Sequence, residues 1–378
     1  MSAAILHAHS TFSLGGKEAR AVRLMNAFGD RATHTILSAM PGQMSARARI
    51  DPGIAVRFPD DAPALAGRPS LARLYRLSRF MRGFDLVLTY NWGAFDMVMA
   101  RHLFGGPPLI HHEDGFNEDE ADRLKSGRNL YRRLGLSAVH RLVVPSLQLE
   151  RIARTVWGQP PERIVRIANG IRVDEFGTRP PADAVPGLGP VRDEIVIGTL
   201  AGLRPVKNLP RLVRAFAAMK TRNARLVIAG EGPDSERIAE EARRCGVSDR
   251  VLLPGFLSPA SLLARLDIFA LSSDSEQFPI SLVEAMAAGL PVVATRVGDV
   301  SAMVSADNVP LIVDREDEAA LTAALDTLAE RADLRRTMGR SNRGKARADF
   351  DEKDMIARYA GLYGEAIGAP GTFVAASA

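Results

Sequence analysis

The sequence predicts an α/β protein of two Rossmann-like, doubly wound parallel-sheet domains facing across a cleft, and three observations carry that prediction. Short runs rich in Val, Ile and Leu alternate with amphipathic stretches along the chain, the pattern of βαβ units and a parallel sheet. The 378 residues, 46% of them hydrophobic, exceed one ordinary domain and can fill two cores. A stretch rich in Pro and Gly and poor in pattern, 179–190, separates two successive halves of the same coarse architecture.

Taken in order, the apolar runs place strands in the first half near 3–7, 34–38, 54–58, 86–89, 108–111 and 142–145. In the second half they fall near 195–199, 226–229, 251–253, 268–271, 292–295 and 311–313. The expected organisation is a first domain at 1–178, the linker at 179–190, a second domain at 191–351, and an amphipathic helix at 352–368. Its packing candidates are Ile356, Tyr359, Leu362 and Tyr363, and a small-residue tail at 369–378 is expected to be disordered. Open parallel sheets bind ligands beyond the carboxyl ends of their strands, so the site is expected in the cleft between two such lobes.

Composition narrows the class. The single cysteine, Cys245, rules out an internal disulfide, and the start Met1-Ser2-Ala3-Ala4-Ile5-Leu6-His7 lacks the basic region and long apolar core of a signal peptide, so a cytoplasmic protein is expected. No apolar run nears the roughly 20 residues that span a bilayer, which leaves peripheral contact as the route to a membrane. A net charge of +5 and a pI near 9.6 are compatible with nucleic acid, an anionic membrane surface or a phosphorylated substrate. The densest basic stretch runs from Arg123 through Lys125, Arg128, Arg132, Arg133 and Arg141 to Arg151 and Arg154, with Leu124, Leu130, Tyr131, Leu134 and Leu136 interleaved. It reads either as a face for the inner side of a membrane or as a solvated helix packed by its leucines. With 6% aromatic residues and no recognised motif, nucleic acid is not expected as a partner.

The chemistry concentrates in the second half. Phe278-Pro279 cannot lie inside a helix, whereas Ser281 to Ala288 are good helix formers closed by Gly289. Glu276 therefore sits on an entering loop and Glu284 in the first turns of a helix, eight positions apart. A helix start offers unpaired N–H groups and partial positive charge to a phosphate, and two nearby carboxylates suit the hydroxyls of a ribose and a hexose. One ligand carrying all of these is a nucleotide diphosphate sugar; the plainer alternative is a dipole-favouring Glu284 and a solvated Glu276.

Upstream, Arg204 and Lys207 precede a helix start, where the dipole disfavours cations and a diphosphate would welcome them. Gly230-Glu231-Gly232-Pro233 ends a strand in a tight turn, for which a purely structural role is one reading. It lacks the third glycine of a dinucleotide fingerprint, Ser235 standing there, which argues against NAD. In the first half, Gly15-Gly16 lies at a strand-to-helix turn that can approach an anion closely. His111-His112-Glu113-Asp114 ends an apolar strand, and alternation along the strand keeps these groups from converging on a metal, so none is expected.

The stretch from Ser275 through Glu276, Gln277, Phe278, Pro279, Ile280 and Glu284 to Ala285-Met286-Ala287-Ala288-Gly289-Leu290-Pro291 resembles the E-x7-E signature of family 4 retaining glycosyltransferases. The resemblance covers nearly the whole chain and implies the two-lobed GT-B fold, with the last helix crossing back onto the first lobe. It implies a glycosyltransferase that moves a sugar from a UDP- or GDP-sugar to an acceptor, without metal or further cofactor, in polysaccharide, glycolipid or cell-envelope glycan synthesis. It further implies that Glu276 and backbone groups of Phe278, Pro279 and Ile280 hold donor sugar or phosphates and Glu284 the ribose, while Lys207 and Arg204 meet the diphosphate. Gly230, Gly232, Gly255, Phe256 and Leu257 would wall the base, and Gly15 and Gly16 would face phosphates and acceptor. Gly202 occupies the family's Arg position, with Arg204 as its stand-in. Asp114 falls where the family has a His, with His111 and Glu113 as rivals, and Gln277 replaces a small residue. A non-catalytic nucleotide-sugar-binding protein and a sugar-nucleotide epimerase or phosphorylase of the same fold are the alternatives.

Overall fold

Every strand of the chain lies in one of two parallel sheets, as the computed structural model shows for the residues it describes: 2–116, 120, 124–177, 181, 183–189 and 194–374. The chain divides into two compact units, 1–169 with 353–378, and 170–352. The boundary lies upstream of the stretch expected as a linker. Val185 and Leu188 within that stretch are buried, and Arg265 donates to the Gly189 carbonyl, so this part of 179–190 packs as body of the second unit.

The first unit contains β1 (Ala3–His9), α1 (Gly16–Phe28), β2 (Ala32–Ser38), β3 (Val56–Arg57), α2 (Leu71–Met81), β4 (Leu86–Tyr90), α3 (Phe95–Phe104), β5 (Leu109–His112), α4 (Ser126–Gly135), β6 (Arg141–Val144), α5 (Leu147–Thr155) and β7 (Ile164–Arg166). The second unit contains β8 (Ile195–Leu200), α6 (Leu209–Ala218), β9 (Ala224–Ala229), α7 (Ser235–Arg244), β10 (Val251–Leu252), α8 (Pro259–Leu263), β11 (Ile268–Leu271), α9 (Ile280–Ala287), β12 (Val292–Thr295), α10 (Val300–Met303), β13 (Ile312–Val313), α11 (Glu318–Glu330) and α12 (Ala332–Asp349). A last helix, α13 (Glu352–Ala366), leads back into the first unit.

The seven-stranded sheet runs β3-β2-β1-β4-β5-β6-β7 and the six-stranded sheet β10-β9-β8-β11-β12-β13, all parallel. Each is covered on both faces, which is why the strands read as apolar runs with no polar alternation. The period of two still shows. Ala3 and Ile5 pack with α1 and α13, while Leu6 and Ala8 pack with α2, α3 and α5. The twelve expected strands are all present. The thirteenth, β7, is an edge strand of three residues, two only partly buried and one exposed, too short to register as an apolar run.

Tyr359, Leu362 and Tyr363 of α13 are buried in the first unit's core, with Ile356 packed against it. The tail corrects an expectation: 369–374 forms an ordered turn, with Phe373 buried 4.8 Å from Phe28, because an aromatic in this small-residue stretch finds an apolar site to fill. Residues 375–378 lie outside the described residues.

Candidate functional site

In the second sheet the winding reverses at β8, which is flanked by β9 on one side and β11 on the other. The loops leaving β8 and β11 therefore diverge and open a recess at the carboxyl edge. Thr199, Ala201, Lys207, Ser272, Ser273 and Glu276 are among the residues lining it.

The two loops are laced together. The Ser272 hydroxyl donates to the carbonyls of Lys207 and Asn208, both at 3.1 Å, and Asp274 N–H donates to the Val206 carbonyl at 2.8 Å. Asn208, held in the left-handed region at φ 42°, ends the short 3-10 turn Pro205–Lys207 and sends its amide to Asp274. Arg211 adds an ion pair to Asp274 at 2.8 Å. A non-glycine residue with this backbone marks a place where surrounding contacts dictate conformation.

That frame brings Lys207 to Glu276. The ammonium donates to Oε1 at 2.6 Å, and the Ser273 hydroxyl donates to the same oxygen at 2.7 Å. Both side chains are largely buried, with exposures of 17% and 9%, so the pair is a preorganised polar unit beyond the category of a solvated surface contact. Both bonds fall on Oε1, leaving Oε2 to accept from a ligand.

Glu284 lies in the second turn of α9, partly buried, and the helix begins after Pro279 with no side-chain cap. Its first N–H groups are thus presented beside Glu276, Gln277, Phe278 and Ile280. Gln277 has a buried, unpartnered Oε1, and Phe278 meets Phe350 edge-on at 5.7 Å.

The Gly230 and Gly232 turn serves a different purpose from the one a dinucleotide motif would serve. At φ 140° and 156°, added Cβ atoms would lie 1.8 Å from the Ala201 carbonyl oxygen and 2.3 Å from that of Leu203. The turn is a bed for the 201–204 loop, with Leu203 N–H bonded to the Glu231 carbonyl at 2.8 Å. Gly230 N–H bonds to Gly255, after which Phe256 stands 74% exposed and Leu257 partly buried.

In the first unit, Gly15 caps α1 and Gly16 opens it, with Glu18 tucked against Gly15 and ion-paired to Lys17. Asp114 accepts from Arg20 through both oxygens, at 2.5 and 2.8 Å, and its N–H donates to Asn91 Oδ1 at 2.8 Å. His111 and Glu113 are buried, at 0% and 1%. His111 pairs with Thr89 Oγ1 at 2.8 Å, and Glu113 lies 3.3 Å from Arg132 Nε. Of these three residues, Asp114 has the side chain that retains solvent contact, 13%. His112 points to the opposite face, donating from Nδ1 to the Thr89 carbonyl and meeting Tyr363 at Nε2.

The basic stretch does not form one face. Arg132 is fully buried, bonded twice to Glu120 at 3.1 Å and ringed by Trp92, Phe116 and Trp157, and Leu136 is core. Leu130 and Leu134 are exposed beside Lys125 and Arg133, and Arg123 lies outside the described residues. No described helix is long and apolar enough to cross a membrane.

Comparison with known proteins identifies the family and the fold. Residues 185–345 match the profile described as Glycosyl transferases group 1, and residues 14–175 that of Glycosyltransferase Family 4. A D-inositol 3-phosphate glycosyltransferase of Corynebacterium glutamicum (strain R) is 30% identical over 305 residues, 75% of this chain and 73% of the relative. The chain belongs to glycosyltransferase family 4.

Another relative, N-acetyl-alpha-D-glucosaminyl L-malate synthase of Bacillus anthracis, is 29% identical over 172 residues, 45% of each chain. A putative glycosyltransferase, EpsF of Bacillus subtilis (strain 168), is 31% identical over 52% of this chain and 53% of its own. The family 4 member thus spans about half the length of these two relatives. Among solved structures, Anabaena HepE in complex with UDP and glucose matches with a TM-score of 0.78 at 19% identity, over 96% of this chain and 100% of HepE. Sucrose-phosphate synthase from Thermosynechococcus elongatus matches with a TM-score of 0.75 at 20% identity, over 96% and 99%. These likenesses place the fold as GT-B.

Within this family 4 member, the departure at Gly202 has a structural counterpart. Arg204 is exposed and folds back so that its Nε lies 3.6 Å from where a Cβ on residue 202 would stand. Nothing in the sequence singles out Arg20 and Asn91 as partners of Asp114, or Asn169 as a further acceptor for Arg20. Asn91, at a positive φ of 56°, shows its special backbone only in the fold.

Proposed function

We propose that this family 4 protein is a retaining, metal-independent glycosyltransferase that uses a UDP- or GDP-sugar, and the observation that carries the reading is the buried Lys207–Glu276 pair at the switch point of the second sheet. Lys207, with Arg204 beside it, supplies positive charge where a diphosphate leaving group gains negative charge, which lowers the barrier by preorganised electrostatics. Glu276, oriented by Lys207 and Ser273, accepts from donor-sugar hydroxyls, and Glu284 takes the ribose. The leaving phosphate itself accepts the acceptor's proton on the face from which it departs, so no dedicated base is assigned. The solved structure of HepE holds UDP and glucose, which supports UDP as the first donor to try. We place the reaction in the synthesis of a cell-envelope glycan or glycolipid at the inner face of the membrane. The first unit supports this, with 25 Lys and Arg against 17 Asp and Glu.

Thermal shift with UDP, GDP and ADP, followed by mass spectrometry of products from UDP-glucose in the presence of EDTA, tests the reading. Stabilisation by UDP or GDP and transfer or slow hydrolysis with retained configuration are expected. Binding without turnover on any acceptor or water would identify a non-catalytic binder instead.

A further inference from the structure

The first unit holds a cavity of about 700 Å³ that the donor chemistry does not use. It lies at the reversal point of the first sheet, where β1 is flanked by β2 on one side and β4 on the other, and Thr11, Met40, Leu65, Trp92, Asp96 and Tyr131 are among its walls. A volume of this size suits a substrate, and a mainly apolar wall with a few polar groups is the usual composition of such a site.

Its charges are already spent. Asp96 is ion-paired to Arg73 and accepts from the Tyr131 hydroxyl at 3.0 Å. Arg128 donates to Glu120 at 3.0 Å and lies 5.1 Å over the Trp92 ring. Among the described lining residues, an anionic ligand would meet the Asp96 carboxylate and find no unpaired cation, since Arg128 is already shared with Glu120. The free polar edge is the pair of hydroxyls on Ser10 and Thr11, which suits ligand hydroxyls.

The apolar side continues outward. Met40 is 51% exposed, Leu71, two residues beyond lining Pro69, is 70% exposed, and Leu130, between lining Arg128 and Tyr131, is 59% exposed. Met40, itself a wall residue, carries the apolar lining out to solvent, and Leu71 and Leu130 leave further apolar side chains exposed on the segments that supply the walls.

We infer that this cavity takes an uncharged, amphiphilic acceptor, a hydroxyl-bearing head at Ser10 and Thr11 with an apolar chain along Met40 and Leu65. The inference rests on the transferase reading for the word acceptor, and on the cavity alone for the chemistry. It is tested on the full chain without any donor by intrinsic tryptophan fluorescence, titrating octyl β-D-glucopyranoside below its micellar concentration, methyl β-D-glucopyranoside and L-malate. Octyl glucoside is expected to bind at least tenfold more tightly than methyl glucoside, with L-malate weakest and Trp92→Phe removing the response. Met40→Glu, an exposed substitution, should weaken octyl glucoside at least fivefold and Met40→Leu should not. Equal affinities for the two glucosides, preference for L-malate, or indifference to Met40→Glu overturns the inference. A wild-type chain that binds octyl glucoside in this way but no nucleotide would overturn the transferase reading and leave the cavity chemistry standing.

Discussion

Arg20 grips Asp114 with a two-pronged ion pair, Nη1 to Oδ1 at 2.5 Å and Nη2 to Oδ2 at 2.8 Å, while Nη1 also donates to Asn169 Oδ1 at 2.8 Å. The resemblance expects a His at the position of Asp114, and the grip commits this carboxylate to a buried guanidinium before any ligand arrives. A carboxylate so held positions its neighbours and accepts hydrogen bonds.

Removing either partner should therefore act first on stability. Arg20→Ala and Asp114→Ala are each expected to cost about 3 kcal/mol, since each strands the other charge, and the double variant should cost clearly less than the sum. Denaturant unfolding of the three variants checks this. Additive losses would show that the two residues act separately.

Glu276 and Lys207 should divide their effects. On the proposed function, Lys207→Ala is expected to lower kcat/KM by about a hundredfold or more and to remove most of the UDP-induced thermal shift, since it would take away the charge assigned to the diphosphate. Glu276→Gln should lower kcat by a similar factor with the UDP shift largely kept, whereas Glu284→Ala should mainly raise the donor KM. Steady-state kinetics with UDP-glucose beside nucleotide thermal shift reads all three.

A buried histidine layer is expected to make the first unit acid-labile. His7, His9, His34 and His112 lie on one face of the sheet, with His7 bonded to His34 at 3.0 Å and to Tyr90 at 3.2 Å, and His9 stacked on Tyr90. Burial is the main cause that holds all four below the usual value. Neighbouring His34 and His112 add to it for His7, Arg20 and His111 for His112, and His7 and Lys17 for His9. His34 comes down to about 4. The unfolded chain binds these protons near pH 6.5 and the folded chain does not. The stabilising contribution is therefore complete above about pH 7 and is lost progressively as pH falls from 6.5 through 4. His34 alone accounts for about 3 kcal/mol over that window. Unfolding free energy measured at pH 7.5 and pH 5 should fall by several kcal/mol, and His34→Gln should flatten the dependence.

Strand positions were legible because two-sided burial demands apolar runs, and the helix from Ile280 was legible because Pro279 and Gly289 bracket it. What stayed hidden were pairings across sequence distance. Arg132 reads as one more basic residue of a solvated face until Glu120 and Glu113 are seen around it. His111 and Glu113 read as site residues because a strand end is where sites lie, but strand alternation turns His111 inward and a buried arginine claims the surroundings of Glu113. The cavity walls Trp92, Asp96 and Tyr131 come from two helices and the loop after β4, and only the fold assembles them.

The Gly230–Gly232 turn yields the last prediction. A methyl group on residue 232 would sit 2.3 Å from the Leu203 carbonyl oxygen, at a φ that side chains rarely adopt, so the backbone must move. The segment that moves is the one carrying Arg204, since Leu203 N–H is bonded to Glu231 and Asp234 N–H to the Leu203 carbonyl. Gly232→Ala is therefore expected to weaken UDP binding about tenfold or more through displaced Arg204, with a smaller loss of stability of about 1–3 kcal/mol. Gly246→Ala, at a positive φ of 67° with open space around it, supplies the control: strain of the same kind away from the recess should cost stability and leave UDP affinity near wild type. Equal losses of UDP affinity in both variants would mean that the turn supports the fold at large and has no particular hold on the 201–204 loop.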